Sequence, residues 1–212
     1  MVLVLANLDS MKRLVVFILL GLFSSAAIAQ KMTVGIKGGL NLASLKISAG
    51  GLSASSNDLF SFHGGFYGTI MTSEKFGFQP EFLYSAQGGK GSGGSGNFNL
   101  GYINIPVMMR YTFTPGVSLQ AGPQLSFLLN AMVDGTDIKS VMNTMDFGAC
   151  FGLGVDMPSG VNFAFRYNIG FSNTLTSAAT SGLSGLGFGN VTMTNQVIQF
   201  SLGVKLTKDE AK

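Results

Sequence analysis

The chain has 212 residues, 46% of them hydrophobic and only 11% charged, with a formal net charge of +3. So weak a charge argues against nucleic acid or an acidic substrate as partner. A soluble domain usually carries roughly 25% charged residues, so something other than water must cover much of this surface.

The first predicted element is an export signal. Lys12 and Arg13 form a basic start, Leu14 to Phe23 is an apolar run of ten, and Ala27-Ile28-Ala29 offers small residues around a cleavage point before Gln30. A transmembrane anchor would need about 20 apolar residues, so the run reads as a secretory signal peptide. The expected organisation is a signal region over 1–29 with its natural start at Met11, a barrel over 30–206, and a short periplasmic tail over 207–212. Without Asp9, Lys12 and Arg13 the mature part holds 11 basic and 9 acidic residues. Cys150, the single cysteine, excludes an internal disulfide, lies far from the cleavage point, and reads as a small strand residue.

Eight strands follow, each recognised by its period of two. In the first, Val34, Ile36, Leu40 and Leu42 oppose Thr33, Gly35, Lys37, Gly39 and Asn41. Phe60, Phe62, Phe66 and Ile70 then oppose Ser61, His63, Tyr67 and Thr69, and Phe76, Phe78, Phe82 and Tyr84 oppose Gln79, Glu81, Ser85 and Gln87. The fourth sets Ile103, Ile105, Val107, Met109 and Tyr111 against Asn104, Met108, Arg110 and Thr112. The fifth sets Leu119, Leu125, Phe127 and Leu129 against Gln120, Gln124, Ser126 and Asn130. Phe147, Phe151, Leu153 and Val155 oppose Asp146, Gly148, Gly152 and Asp156. Phe163, Phe165, Tyr167, Ile169 and Phe171 oppose Asn162, Arg166, Asn168 and Ser172, and Ile198, Phe200, Leu202, Val204 and Leu206 oppose Gln199, Ser201, Gly203 and Lys205.

Connections alternate long and short, as outer-membrane barrels with short periplasmic turns and long external loops require. Ser44–Asp58, Gly88–Asn97, Met132–Thr144 and Asn173–Val191 are long; Thr72–Lys75, Phe113–Gly116 and Met157–Gly160 are short. A soluble lipocalin-like barrel also has eight up-and-down strands, but its polar face would be an exterior dense in Lys and Glu. Here that face is mostly Gly, Ser, Asn, Gln and Thr, which suits the crowded lumen of an eight-stranded barrel. Phe76, Phe78, Tyr111 and Phe163 fall toward one end and Phe60, Phe62, Tyr84 and Phe171 toward the other, as two aromatic girdles would. The expected fold is all-β: an eight-stranded antiparallel up-and-down transmembrane β-barrel, preceded by a cleaved signal peptide, in the outer membrane of a Gram-negative bacterium.

Val34 to Ala43 (VGIKGGLNLA), Phe62 to Gly68 (FHGGFYG), Phe76 to Gly91 (FGFQPEFLYSAQGGKG), Tyr102 to Leu129 and Phe165 to Asn173 (FRYNIGFSN) together resemble the PorT-like outer-membrane β-barrel proteins of Gram-negative bacteria. The most specific parts are Gln79-Pro80-Glu81, Ile105-Pro106 followed by Arg110-Tyr111, and Pro115 to Gln124. The resemblance implies an integral outer-membrane protein and little about activity.

Lumen charges supply the candidate site. Lys37, Glu81 and Arg166 fall at similar height, with Arg110 lower and Asp146 and His63 in the upper half. Charges confined there need partners, so these side chains are expected to form a structural ion network, with Glu81 touching at least one of Lys37, Arg110 and Arg166. A proton- or solute-conducting constriction is the sharper alternative. His63, the only histidine, is a weak candidate for the base of a lipid-modifying enzyme, with Ser61 as nucleophile and Asp146 as acid, but it reads more readily as a lumen hydrogen-bonder. Gly88 to Gly96 lacks the first glycine of a phosphate-binding loop, Tyr84 standing at that position. No catalytic, cofactor or metal site is expected, nor an enzyme.

Two roles then stand. One is a structural or interaction barrel with a filled, non-conducting lumen, meeting partners through external loops in which Leu183, Leu186, Phe188 and Met193 could form a sticky surface. The other is an accessory component of an outer-membrane secretion machinery, suggested by the resemblance alone. The expected partners are outer-membrane lipids and envelope or secretion proteins, with no nucleic acid and the barrel itself a monomer.

Overall fold

A computed structural model of the protein describes residues 32–91 and 96–207. The expected export signal, the tip of the second long loop and nearly all of the expected tail lie outside the described residues.

Ten strands form one antiparallel sheet: β1 (Met32–Ala49), β2 (Leu52–Ser55), β3 (Leu59–Met71), β4 (Phe76–Lys90), β5 (Asn97–Thr114), β6 (Val117–Val133), β7 (Thr136–Asp137), β8 (Met145–Asp156), β9 (Val161–Gly170) and β10 (Thr192–Lys205). Eight of them close a ring, since β1, β3, β4, β5, β6, β8, β9 and β10 pair in that order and β10 returns to β1. The closing seam runs from Gly35 opposite Lys205 to Ser48 opposite Thr192. Closure leaves no exposed edge, the condition for a sheet in lipid.

Alternation decides the two surfaces. Leu40, Phe66, Phe82, Phe151, Phe165 and Phe200 stand exposed on the outer wall, while Lys37, Asn41, His63, Glu81, Asn104, Arg166 and Gln199 are buried in the lumen. Aromatic rings pair between strands on the outer wall: Phe76 with Tyr111 at 4.9 Å and Phe165 with Phe200 at 5.0 Å between centroids. The first lies toward the short-turn end, and Phe62 with Tyr84 at 5.9 Å toward the loop end. Two short turns use glycine at positive φ, Gly116 (79°) and Gly160 (86°), where a side chain would be strained.

Three features depart from the sequence reading. The barrel strands outrun their expected ends: β1 continues to Ala49 and folds back as β2, pairing Lys46 with Ser55 and Ala49 with Leu52. The expected loop at Ser44–Asp58 is therefore largely a hairpin rising above the barrel. Second, the β5–β6 register shifts between Gly101 and Tyr102, opposite Asn130 and Leu128, so Leu129 is an extra residue. That bulge reverses the faces beyond it. Ala131 turns inward and is buried, while Asn130, expected inside, lies against Gly101 beside the Tyr84 hydroxyl on the outer wall. Third, the last long loop contains a short helix, α1 (Ser177–Leu183), whose N-cap Thr176 accepts a hydrogen bond from Ala179 N.

Pro80, Pro106 and Pro123 occupy neighbouring strands near Glu81. The β3–β4 ladder skips from Tyr67–Glu81 to Ile70–Phe78, and the β4–β5 ladder from Pro80–Val107 to Leu83–Asn104. A proline has no N–H to give the ladder, so the wall beside Glu81 carries fewer backbone bonds than its surroundings.

Candidate functional site

Glu81 is the centre of the lumen. It projects from β4 toward Lys37 on β1 and Arg166 on β9, which face it across the ring. Lys37 Nζ donates to Glu81 Oε1 at 2.9 Å, and Arg166 makes a fork, Nη1 to Oε2 and Nη2 to Oε1, both at 2.7 Å. None of these side chains is more than 2% exposed. Paired planar geometry of this kind is the strong form of a charge-assisted bond. Arg166 is held further by Gln120, whose Oε1 accepts from Nε at 3.1 Å and Nη2 at 2.6 Å. Space for its stem comes from Gly152 on β8, where a Cβ would lie 2.8 Å from Arg166 Cγ.

Gln79 joins this cluster to a second one. Its Nε2 donates to Glu81 Oε1 at 2.5 Å, and its Oε1 accepts from Arg110 Nη1 at 2.7 Å. Arg110 Nη2 also reaches Ser118 Oγ at 3.1 Å and forms an ion pair with Asp156. Lys37, Glu81, Arg166 and Arg110 thus belong to one connected network, with Arg110 bound to Asp156 rather than to Glu81. Gln79, Gln120 and Asp156 are members that the ion set read from the sequence omitted. Their signal was the inward parity that selected the ions, but parity carries no partner information for an amide.

Asp146 stands outside the network. Its Oδ2 accepts from Asn195 Nδ2 at 3.2 Å, and it forms no ion pair among the described residues. With Gln87, Gln124, Ser126, Asn168 and Asn195 it lines a cavity of about 10 Å³.

His63 is placed between Asn41 and Ser201, with Nδ1 2.8 Å from Asn41 Oδ1 and Nε2 2.8 Å from Ser201 Oγ. An amide oxygen only accepts, so Nδ1 carries the proton and Nε2 accepts from the Ser201 hydroxyl. Ser61 instead donates to Ala86 O at 2.7 Å, and Asp146 is engaged elsewhere, so the expected Ser61–His63–Asp146 set does not assemble. The serine, histidine and asparagine that do meet are arranged in the order of nucleophile, base and orienter. Yet all three are buried, Asn41 completely, and Asn41 is committed to Phe62 O, Ser85 Oγ and Ala86 O.

Above these polar layers the lumen turns apolar. Leu45, Leu100, Tyr102, Leu128, Ala131, Met142 and Met193 form a buried cluster, with Phe98, Ile138 and Leu175 packed on it. Met193 is therefore a cap residue rather than part of a sticky loop surface, because it precedes Asn195 on the inward face of β10; Leu186 remains exposed. The loops over the cap are stitched together. Asn143 Nδ2 donates to Asn173 O and Leu175 O, both at 2.8 Å, and Asn173 Oδ1 accepts from Leu175 N and Met193 N.

The model of the outer membrane protein beta-barrel domain matches residues 28–176, more than half of the chain. The protein belongs to that family. Its place is the outer membrane of a Gram-negative bacterium, where the outward phenylalanines and leucines meet lipid. Neisserial surface protein A has a similar structure, with 16% identity and a TM-score of 0.51 over 84% of this chain and 99% of that one. Ail of Yersinia pestis, with 11% identity and a TM-score of 0.43, covers 82% and 99%. OprG of Pseudomonas aeruginosa, with 13% identity and a TM-score of 0.44, covers 84% and 98%. At such identities only the fold is shared. No curated protein sequence matches the chain.

Proposed function

We propose that this family member is a closed barrel, non-conducting and non-enzymatic, that acts as a structural or interaction protein through its external loops. The observation that carries this reading is the double obstruction of the lumen: the Lys37–Glu81–Arg166–Gln120 network crosses it, and the Leu45, Leu100, Leu128 and Met193 cap covers it. An ion moving along the axis would have to break buried, charge-assisted bonds and then pass an apolar layer. The burial of His63 and Ser201 likewise favours hydrogen-bonded filling over lipid hydrolysis. The protein is taken to be a monomer whose wall is solvated by outer-membrane lipid.

Within the family, the Gln79-Pro80-Glu81 and Ile105-Pro106 segments support a PorT-like assignment. Glu81 of the first is the centre of the ion network and Pro106 of the second is fully buried. In planar bilayers the purified protein should give no sustained conductance steps, and stable unitary currents would refute the closed-barrel reading. Affinity capture from solubilised membranes that reproducibly returned secretion components would move the role from a free-standing loop presenter to an accessory of a secretion machine.

A further inference from the structure

Among the described residues, Asn104 and Arg110 Nε also carry buried polar atoms without a partner, but only beside Asp146 do several such residues line one cavity. Asp146 Oδ1, Asn195 Oδ1 and both amide atoms of Asn168 are buried without a hydrogen-bond partner in the protein. The three residues are 6%, 5% and 4% exposed and line the same space of about 10 Å³. Buried polar atoms are nearly always partnered, and a buried carboxylate without a counter-charge is costly. Four orphaned atoms around one small volume therefore describe a receptacle rather than a packing fault.

We propose that this cavity binds one monovalent metal cation of the sodium class, held by Asp146, Asn168 and Asn195. The donors are oxygens, which hard cations prefer to softer metals. The Asn168 amide can turn its oxygen to the cavity, since the two ends are interchangeable in shape. One carboxylate supplies one negative charge, which a monovalent ion neutralises. A calcium ion would leave a net buried charge and is usually held by several carboxylates. The space holds about one water-sized sphere. Gln87, Gln124 and Ser126 also line the cavity, although Gln124 Oε1 already accepts from Cys150 Sγ at 3.1 Å.

The location adds a kinetic consequence. Asn195 Nδ2 donates to the Tyr102 hydroxyl at 3.2 Å, tying the site to the apolar cap above it, while the Glu81 network lies below. A cation so enclosed enters as the barrel closes and exchanges slowly afterwards. The inference stands apart from the proposed surface role, because a loop-presenting barrel needs no ion.

The test is to refold the full chain into detergent micelles in sodium, potassium, calcium or choline chloride at equal ionic strength and to measure thermal unfolding. With sodium at about a hundred times its dissociation constant, the midpoint should exceed that in choline by about 5–10 °C. Asp146→Asn should show the same midpoint in every salt, and Asn168→Ala, which keeps the carboxylate, a reduced rise. Should Asp146→Asn fail to fold, Asn168→Ala and thallium-substituted crystals decide, the latter through anomalous density beside Asp146. Equal wild-type midpoints in metal and choline salts would overturn the proposal and leave a water molecule or a proton in the cavity. So would stabilisation by calcium alone, or a sodium effect that survives intact in Asp146→Asn.

Discussion

Changing Glu81→Gln keeps the volume and the hydrogen-bonding ends of the side chain but removes the one negative charge between Lys37 and Arg166. Both cations are essentially inaccessible, at 1% and 2% exposure. Removing one partner of a buried pair costs about 3–5 kcal/mol, because the remaining charge is stranded, and here two are stranded. Lys37→Met is a different case. It leaves Glu81 and Arg166 as a neutral, two-bond pair and removes one hydrogen bond, costing about 1–2 kcal/mol. For a urea slope of about 2–3 kcal/mol per molar, the midpoint should fall by about 1–2 M in Glu81→Gln and by about 0.3–1 M in Lys37→Met. The double variant should be less damaged than Glu81→Gln alone, since only one cation is then left over. Urea titration of the barrel refolded in lipid or detergent, read by tyrosine fluorescence and by heat-dependent gel mobility, gives these numbers. Equal losses in the two single variants would show that packing, and not charge compensation, holds the lumen together.

Two further outcomes follow from the wall. Phe200→Arg sets a charge about midway along the outer face of β10, where it should cost about 2–4 kcal/mol, against a near-neutral Phe200→Leu in the same refolding titration. Cys150 is 1% exposed on the lumen side of β8, so a maleimide reagent should leave the folded barrel unlabelled and modify it fully in denaturant. Rapid labelling of the folded protein would show that the lumen is open to solutes at that level.

The inward positions of Lys37, Glu81, Arg110, Arg166 and Asp146 were legible because a strand has a period of two and the lumen face is nearly free of other charges. Their bonding was not. Arg110 and Arg166 are equivalent by parity, yet one meets Asp156 and the other Glu81, a choice made by stagger between strands and by the length of each side chain. The reversal at Leu129 was hidden for a related reason: a bulge is a property of two paired strands, and one strand's pattern continues across it without a break. The apolar cap was also missed: Leu45 falls in a stretch read as loop, Met193 was assigned to a loop surface, and Leu128, inward by parity with Ser126, was not counted with either face.

By itself the sequence determined an antiparallel barrel of eight crossings with its apolar face outward, because alternation, loop parity and the scarcity of charge are local properties, each readable within one strand or turn. Tertiary structure decided which side chains share the enclosed space. Across the ring, residues as far apart in the chain as Lys37, Glu81 and Arg166 come within bonding distance, and others, Asp146 with Asn168 and Asn195, converge on one small cavity. The physical reason is closure: once the strands form a ring, contact across the lumen depends on tilt and stagger, which belong to the whole sheet and to no single segment.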